Sequence, residues 1–248
     1  MPPIIRLEKL WKRFRARSVL EDVSLEIREG ETLTIIGGSG SGKSVTLKLI
    51  LGLMHPDRGK VWYRGQDVTA MRERELIAMR REFGMLFQGG ALFDSMNVAA
   101  NVAYPVREHF PAMSDERVAA VIRQKLALVG LEQSAEMLPA ELSGGMRKRV
   151  ALARAIAIDP AVILYDEPTT GLDPANTQRI NRLIRQCQQQ LRITSVMVTH
   201  DMASAFQVTD RLALLYKRRI EFVGTPAEAK ASANPVVRNF IQGNTEGE

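Results

Sequence analysis

A chain of 248 residues with 45% hydrophobic content has the material for a sizeable buried core, in one large domain or two small ones. Its 25% charged and 6% aromatic residues, with ordinary amounts of Gly and Pro, exclude a disordered or fibrous chain. The net charge of +6 is scattered over short clusters, Arg13/Arg15/Arg17, Arg80-Arg81, Arg147-Lys148-Arg149 and Lys217-Arg218-Arg219, without interleaved aromatics, so no nucleic-acid partner is expected.

From the N-terminus, Met1 to Lys9 carries charge too early for a signal peptide, and no uninterrupted apolar run approaches the roughly 20 residues of a membrane span. Membrane association is therefore expected through a partner or the surface. Apolar and polar residues alternate in Ile4 to Leu10 and in Val19 to Ile27, which predicts half-buried strands making an antiparallel start. Thr32 to Ile36 is a short β-rich run ending in glycines, followed by a helical pattern from Lys43 to about Met54 that stops near Pro56. Phe83 to Phe87 reads as another strand. Val98 to Ala157 reads as helical throughout, with Ser114 as a helix start and Gly130 as a stop, and so as a helical insertion. Buried strands follow at Val162 to Tyr165 and Thr194 to Thr199, each before a polar turn and a helical stretch, which predicts a mainly parallel sheet. The single cysteine, Cys187, lies in a polar run and excludes an internal disulfide or a cysteine metal cluster, which suits a reducing cytosol.

The strongest local signal is Gly37-Gly38-Ser39-Gly40-Ser41-Gly42-Lys43-Ser44, a phosphate loop in its required strand-to-helix context. Glycines let the backbone turn its N–H groups toward phosphate oxygens, Lys43 neutralises β and γ phosphates, and the Ser44 hydroxyl suits Mg²⁺. The strand ending in Asp166-Glu167 supplies a carboxylate for the metal, Asp166, and one to polarise attacking water, Glu167. Alone, such a pair also reads as a solvated turn; the phosphate loop upstream favours the catalytic reading. His200 follows the last apolar strand, at the carboxyl end where ligands bind in open α/β folds, and Gln88 likewise ends a strand within reach of metal and water. His55 and His109 read as structural or exposed. Leu142-Ser143-Gly144-Gly145-Met146 opens a long amphipathic helix, making a second anion-binding helix N-terminus. One nucleotide loop with two phosphate sites points to a composite site shared between two copies.

With these motifs in this order, from about Ile4 to beyond Gly224, the sequence resembles the ABC transporter ATPases. That resemblance implies an α/β P-loop NTPase (RecA-like) core with an N-terminal antiparallel β subdomain and an inserted α-helical subdomain. It implies a single ABC ATPase domain over 1–248: the core with its β subdomain at 1–88 and 158–225, the helical subdomain at 89–157, and a C-terminal helix and short tail at 226–248. By resemblance Gly37 to Ser44 is the Walker A loop, with nucleotide contacts reaching Val45, where Thr is common. Gln88 is the Q-loop glutamine, Leu142 to Met146 the signature, Asp166 and Glu167 the Walker B pair, Asp173 the D-loop aspartate and His200 the switch histidine. Phe14 falls where the family stacks an aromatic on adenine, with Trp11 the nearby alternative. The implied mechanism is a head-to-tail homodimer that sandwiches two ATP molecules with Mg²⁺, closes on binding and reopens after hydrolysis, driving a permease dimer. Phe87, Leu92 and Phe93 are candidates for the permease contact, with core packing the competing reading.

Departures from the general pattern narrow the group. Met146 in place of Gln, Gly38 where Pro often stands, and the stretches Phe87 to Met96, Asn101 to His109 and Gly145 to Arg149 look like the Mla/Mkl lipid-transport ATPases. That implies phospholipid moved between inner and outer membrane, in support of outer-membrane lipid asymmetry. It also implies a peripheral place on the cytoplasmic face of the bacterial inner membrane, a STAS-domain protein alongside and a periplasmic MCE-domain protein above. The alternatives are an importer of a polar solute such as an amino acid or a metal ion, and a soluble ABC ATPase acting on nucleic acid or ribosomes.

Overall fold

The computed structural model describes residues 2–243, so the short tail expected at Asn244 to Glu248 lies outside the described residues. In chain order its elements begin with β1 (Ile5–Phe14), β2 (Arg17–Ile27), β3 (Thr32–Ile36), α1 (Lys43–Ile50), β4 (Arg58–Tyr63), β5 (Gln66–Asp67), α2 (Glu73–Arg80) and β6 (Phe83–Leu86). They continue with α3 (Val98–His109), α4 (Asp115–Val129), α5 (Gly144–Ala155), β7 (Val162–Asp166), α6 (Pro174–Leu191) and β8 (Thr194–Thr199). Last come α7 (Met202–Val208), β9 (Arg211–Tyr216), β10 (Arg219–Gly224), α8 (Pro226–Lys230) and α9 (Pro235–Gln242). Contacts divide the chain into two compact units, Met1–Ala78 with Thr194–Glu248, and Met79–Ile193.

In the first unit, β1 pairs antiparallel with β2 and β4, in the order β2-β1-β4-β5. Ile5, Leu7 and Leu10 on β1 and Leu20, Val23, Leu25 and Ile27 on β2 are buried, the inward half of the alternation. Left-handed residues Lys9 (φ 47°) and Asp22 (φ 55°) accompany the shift in β1–β2 register between Leu7 and Leu10. A second set runs β10-β9-β3-β8, with β3 parallel to both β8 and β9, and β10 returning antiparallel on β9. Every residue of β3 and β8 is buried, which explains why both read as unbroken runs and not as alternation. Ile36, Ala205, Leu212, Leu214, Ala229 and Val237 form a core that ties α7, α8 and α9 to this sheet.

The helix after the phosphate loop is shorter than its apolar pattern predicts, ending at Ile50 and not at Met54. Gly52 takes φ +60°, and the amides of Gly52 and Leu53 turn back to the carbonyls of Leu49 and Lys48. A left-handed glycine closes the helix before Pro56 is reached.

In the second unit, β6 and β7 are parallel, with Leu86 opposite Tyr165. The insertion is three helices and not one continuous pattern: α4 is capped by Ser114 Oγ on the Arg117 amide and stopped by Gly130 at φ +64°. Between Gly130 and Ser143 there are only short 3-10 turns, at Glu132–Ser134 and Pro139–Glu141. Arg149 of α5 donates from Nη1 to Val129 O (2.9 Å) and Gly130 O (3.0 Å), placing a cation on the carbonyl end of α4.

Cys187 is fully buried in α6, and burial pushes its thiol up to about 12. At about pH 8 the native protein is expected to leave a thiol-specific reagent unconsumed and the denatured chain to consume it fully. Rapid labelling of the native protein would contradict the burial of α6.

Candidate active site

In the first unit the phosphate loop hangs between β3 and α1, and two of its glycines are fixed by contact. A Cβ on Gly37 would lie 2.5 Å from Leu215 O, and one on Gly42, at φ +108°, would lie 2.8 Å from Leu20 Cδ2. Only glycine lets the loop lie this close to β9 and β2. Gly42 caps α1 without a side-chain hydrogen bond, so the cap residue itself does not compete for the amides of the first helical turn. Lys43 is buried, and its Nζ donates to Gly37 O (2.8 Å) and Gly38 O (2.9 Å), which lays the ammonium across the loop. Ser44 and Val45 follow, half-buried, while Ser39 and Gly40 are exposed and Gly38 and Ser41 half-buried. The Arg17 guanidinium comes within 3.8 Å of where a Gly40 Cβ would stand, adding a cation that the sequence reading treated only as part of a basic cluster.

His200 leaves β8 directly after Thr199, which is opposite Ile36, the last residue of β3. The phosphate loop and His200 thus leave the carboxyl ends of neighbouring parallel strands. Asp201 fixes the exit by accepting from Ala203 N (3.0 Å) and Ser204 N (3.2 Å) at the start of α7. Phe14 ends β1 and is 42% exposed, with Lys12 Nζ 5.7 Å from its ring centroid, whereas Trp11 is half-buried and pairs with Arg58 across β1 and β4.

In the second unit Gln88 follows β6 and is exposed, and Asp166 closes the neighbouring β7. Glu167 is 8% exposed and left-handed at φ 49°, a conformation uncommon for a residue with a β-carbon. Thr170 holds it twice, donating from N to Glu167 O (3.3 Å) and from Oγ1 to Glu167 Oε2 (3.2 Å). Lys148 of α5, itself buried, donates from Nζ to Gln88 O and to Glu167 O (3.4 Å). Burial pulls the Lys148 ammonium below the usual lysine range, opposed by the charges of Asp166 and Glu167.

At the start of α5, Ser143 Oγ accepts from Met146 N (3.2 Å), so the cap takes an amide beyond Gly144 and Gly145. A Cβ on Gly145 would lie 2.3 Å from Asn176 Oδ1, while one on Gly144 meets nothing nearer than Leu172 Cδ2 at 3.8 Å. Asn176 is held by Asp173, which accepts from its backbone N (2.9 Å) and its Nδ2 (2.6 Å). The backbone N–H of Asn176 is the leading cause that keeps the Asp173 carboxyl below its ordinary range. Gly145 and Asp173 are therefore joined through Asn176, which the sequence reading missed because nothing in its spacing marks it. Lys148 did leave a signal: three consecutive cations span about 200° of a helix, so with Val150 to Ala153 all buried they cannot all face water.

Among the described residues no His, Cys, Asp or Glu cluster could hold a metal by itself, and no helix is long and apolar enough to cross a membrane. An α/β arrangement with a glycine loop leading into a helix, and acidic, amide and imidazole groups at strand ends, defines a nucleotide-hydrolysing protein of the P-loop class. Residues 20–170 match the ABC transporter family model, and the chain belongs to that family, as an ATP-binding, ATP-hydrolysing, transport-coupled subunit. It is 41% identical over 98% of its length to the "Probable ribonucleotide transport ATP-binding protein mkl" of Mycobacterium leprae, covering 70% of that protein. It is 38% identical over 93% of its length to the "Intermembrane phospholipid transport system ATP-binding protein MlaF" of Escherichia coli, covering 86% of it. Among solved structures, the dimeric post-hydrolysis state of the ATP-binding cassette MJ0796 bound to ADP and Pi matches with a TM-score of 0.82 and 32% identity. That match covers 89% of this chain and 98% of the other.

Gly145→Ala is expected to destabilise the protein by about 1–3 kcal/mol through overpacking against Asn176, while Gly144→Ala is tolerated. Denaturant unfolding of both, repeated in an Asn176→Ala background, measures the coupling. Equal stability of the two glycine variants would show that Asn176 does not crowd the signature turn.

Proposed function

We propose that this ATPase subunit energises phospholipid transport between membranes, as a homodimer beneath a permease dimer on the cytoplasmic face of the inner membrane. The observation that carries the cargo is the near full-length similarity to MlaF, whose name states intermembrane phospholipid transport, together with Met146 and the Phe87 to Met96 stretch. A ribonucleotide cargo is the second reading, favoured by the name of the mkl relative. A STAS-domain protein and a periplasmic MCE-domain protein complete the proposed assembly.

In the proposed chemistry the phosphate-loop amides and Lys43 hold the β and γ phosphates, and Phe14 stacks on adenine. The Ser44 hydroxyl, the Asp166 carboxylate and the Gln88 amide oxygen are the groups that would hold Mg²⁺, each an oxygen donor of the kind that ion takes. When bound, that ion neutralises charge on the β and γ oxygens. Glu167 takes the proton of the attacking water, Gln88 orients that water and His200 contacts the γ phosphate. Ser143, Gly144, Gly145 and Asp173 face the nucleotide held by the second copy.

The permease contact is proposed at the loop after Gln88. Phe87, Phe93 and Tyr104 are 40%, 38% and 41% exposed, Leu92 is half-buried, and the rings of Phe93 and Tyr104 lie 4.7 Å apart. That exposure favours docking over core packing for Phe87 and Phe93. The loop beneath is rigid: fully buried Asn101 accepts from Phe93 N (2.9 Å) and donates to the carbonyls of Phe93, Met96 and Asn97.

Lys43→Ala is expected to weaken ATP binding itself, and unchanged affinity in a fluorescent-nucleotide titration would remove its phosphate role. Glu167→Gln is expected to bind ATP but cut turnover at least about a hundredfold, giving a persistent ATP-bound dimer; wild-type hydrolysis by this variant would sink the base assignment. The cargo is read by purifying the chain from native membranes in mild detergent and identifying co-purifying proteins and lipids by mass spectrometry. A permease, a STAS protein and an MCE protein with bound phospholipid are expected, whereas a permease with a solute-binding protein would overturn the lipid reading.

A further inference from the structure

We infer that Lys148 is a positioning residue for hydrolysis: from the signature helix, its buried ammonium sets the backbone of both Gln88 and Glu167 and couples the motion of that helix to them. The inference rests on the proposed roles of Gln88 and Glu167.

Three observations support it. First, Nζ donates to Gln88 O and to Glu167 O (3.4 Å), so one side chain bridges the two strand ends that carry the water-handling groups. Second, Glu167 is left-handed at φ 49°, a conformation that persists only where the surroundings hold it, and its carbonyl accepts from this lysine and from Thr170 N. Third, Lys148 is 6% exposed, in a place where an apolar side chain would need no partners, and its charge is offset by those of Asp166 and Glu167. A buried cation with two carbonyl partners is a costly way to fill space and a direct way to fix two carbonyls.

The same helix reaches the loop again one turn and a half later. Arg154 donates from Nη1 to Ala91 O (2.8 Å) and from Nη2 to Gly90 O (3.1 Å), and its guanidinium lies 5.5 Å from the exposed Phe93 ring. Gly90 packs on Ala151, 3.7 Å from where its Cβ would stand. Helix α5 therefore holds Gln88, Gly90 and Ala91 along one stripe, and Lys148 extends that hold to Glu167. A displacement at the Phe93 surface or at the signature end of α5 reaches the general base through this lysine.

The test compares Lys148→Met, which keeps the stem and removes the ammonium, with Lys148→Arg, which restores a cationic donor, both in the purified full complex alongside Glu167→Gln. Lys148→Met is expected to lower kcat by about ten- to a hundredfold with KM for ATP within about threefold of the parent, and Lys148→Arg to recover most of the rate. Melting temperature is recorded for each variant. A Lys148→Met complex with kcat within about twofold of the parent overturns the inference. So does a loss of rate, ATP affinity and melting temperature together that Lys148→Arg does not reverse, since that marks a fold-stabilising role. If Glu167→Gln still hydrolyses ATP, it is the base assignment that has failed. If Glu167→Gln is inactive and Lys148→Met unimpaired, only the positioning role has failed.

Discussion

Backbone carbonyls at strand and helix ends need donors, and in this chain buried and half-buried cations supply them. Lys43 holds Gly37 and Gly38, Lys148 holds Gln88 and Glu167, Arg149 holds Val129 and Gly130, and Arg154 holds Gly90 and Ala91. Burying a cation costs several kcal/mol, offset by charge-assisted hydrogen bonds of about 1.5–3 kcal/mol each. The return is shape: each cation fixes a loop that carries a motif. Three of the four sit on α5, so the helix that begins with the signature sequence also sets the loop after β6, the end of α4 and the residue after Asp166.

Close approach is the second constraint. Gly37 and Gly42 lie where a β-carbon would collide with Leu215 O and Leu20, and Gly145 where it would collide with Asn176. The phosphate loop and the turn at Gly144-Gly145 are thus built alike, as helix starts where glycine is required by a close neighbour. This likeness gives physical content to the proposal that each copy lends its signature turn to the other copy's nucleotide.

Much of this was legible in the sequence, and what was legible had local causes. The bounds of β3 and β8 follow from unbroken β-rich runs between polar turns, and Ser114, Gly130 and Ser143 act as caps and stops because their roles depend on nearest neighbours alone. The end of α1 was misplaced because Gly52, and not Pro56, takes the left-handed turn. Strand β9 offers the same signal as β3 and β8 in Leu212 to Leu215, a buried apolar run between polar residues that the sequence reading passed over, whereas β10 alternates half-buried and exposed residues and is defined by its pairing with β9. Of the candidate site, the expected motifs are local patterns of spacing, whereas Asn176 and Asn101 carry no such pattern and Lys148 shows only as one of three consecutive helical cations that cannot all face water. Phe14 was preferred over Trp11 from its place in the family pattern, and the greater exposure of Phe14 is a feature that sequence alone does not give.

ATP hydrolysis belongs to this chain, while in the proposed assembly the cargo is set by the permease that docks on Phe87 and Phe93. The central claim is tested most directly by reconstituting the native complex into vesicles with a fluorescent phospholipid and measuring ATP-dependent movement of that lipid to an acceptor. Movement that requires ATP and is abolished by Glu167→Gln is the predicted result. Steady ATP hydrolysis without lipid movement, accompanied by ATP-driven accumulation of a ribonucleotide or another polar solute, would contradict it.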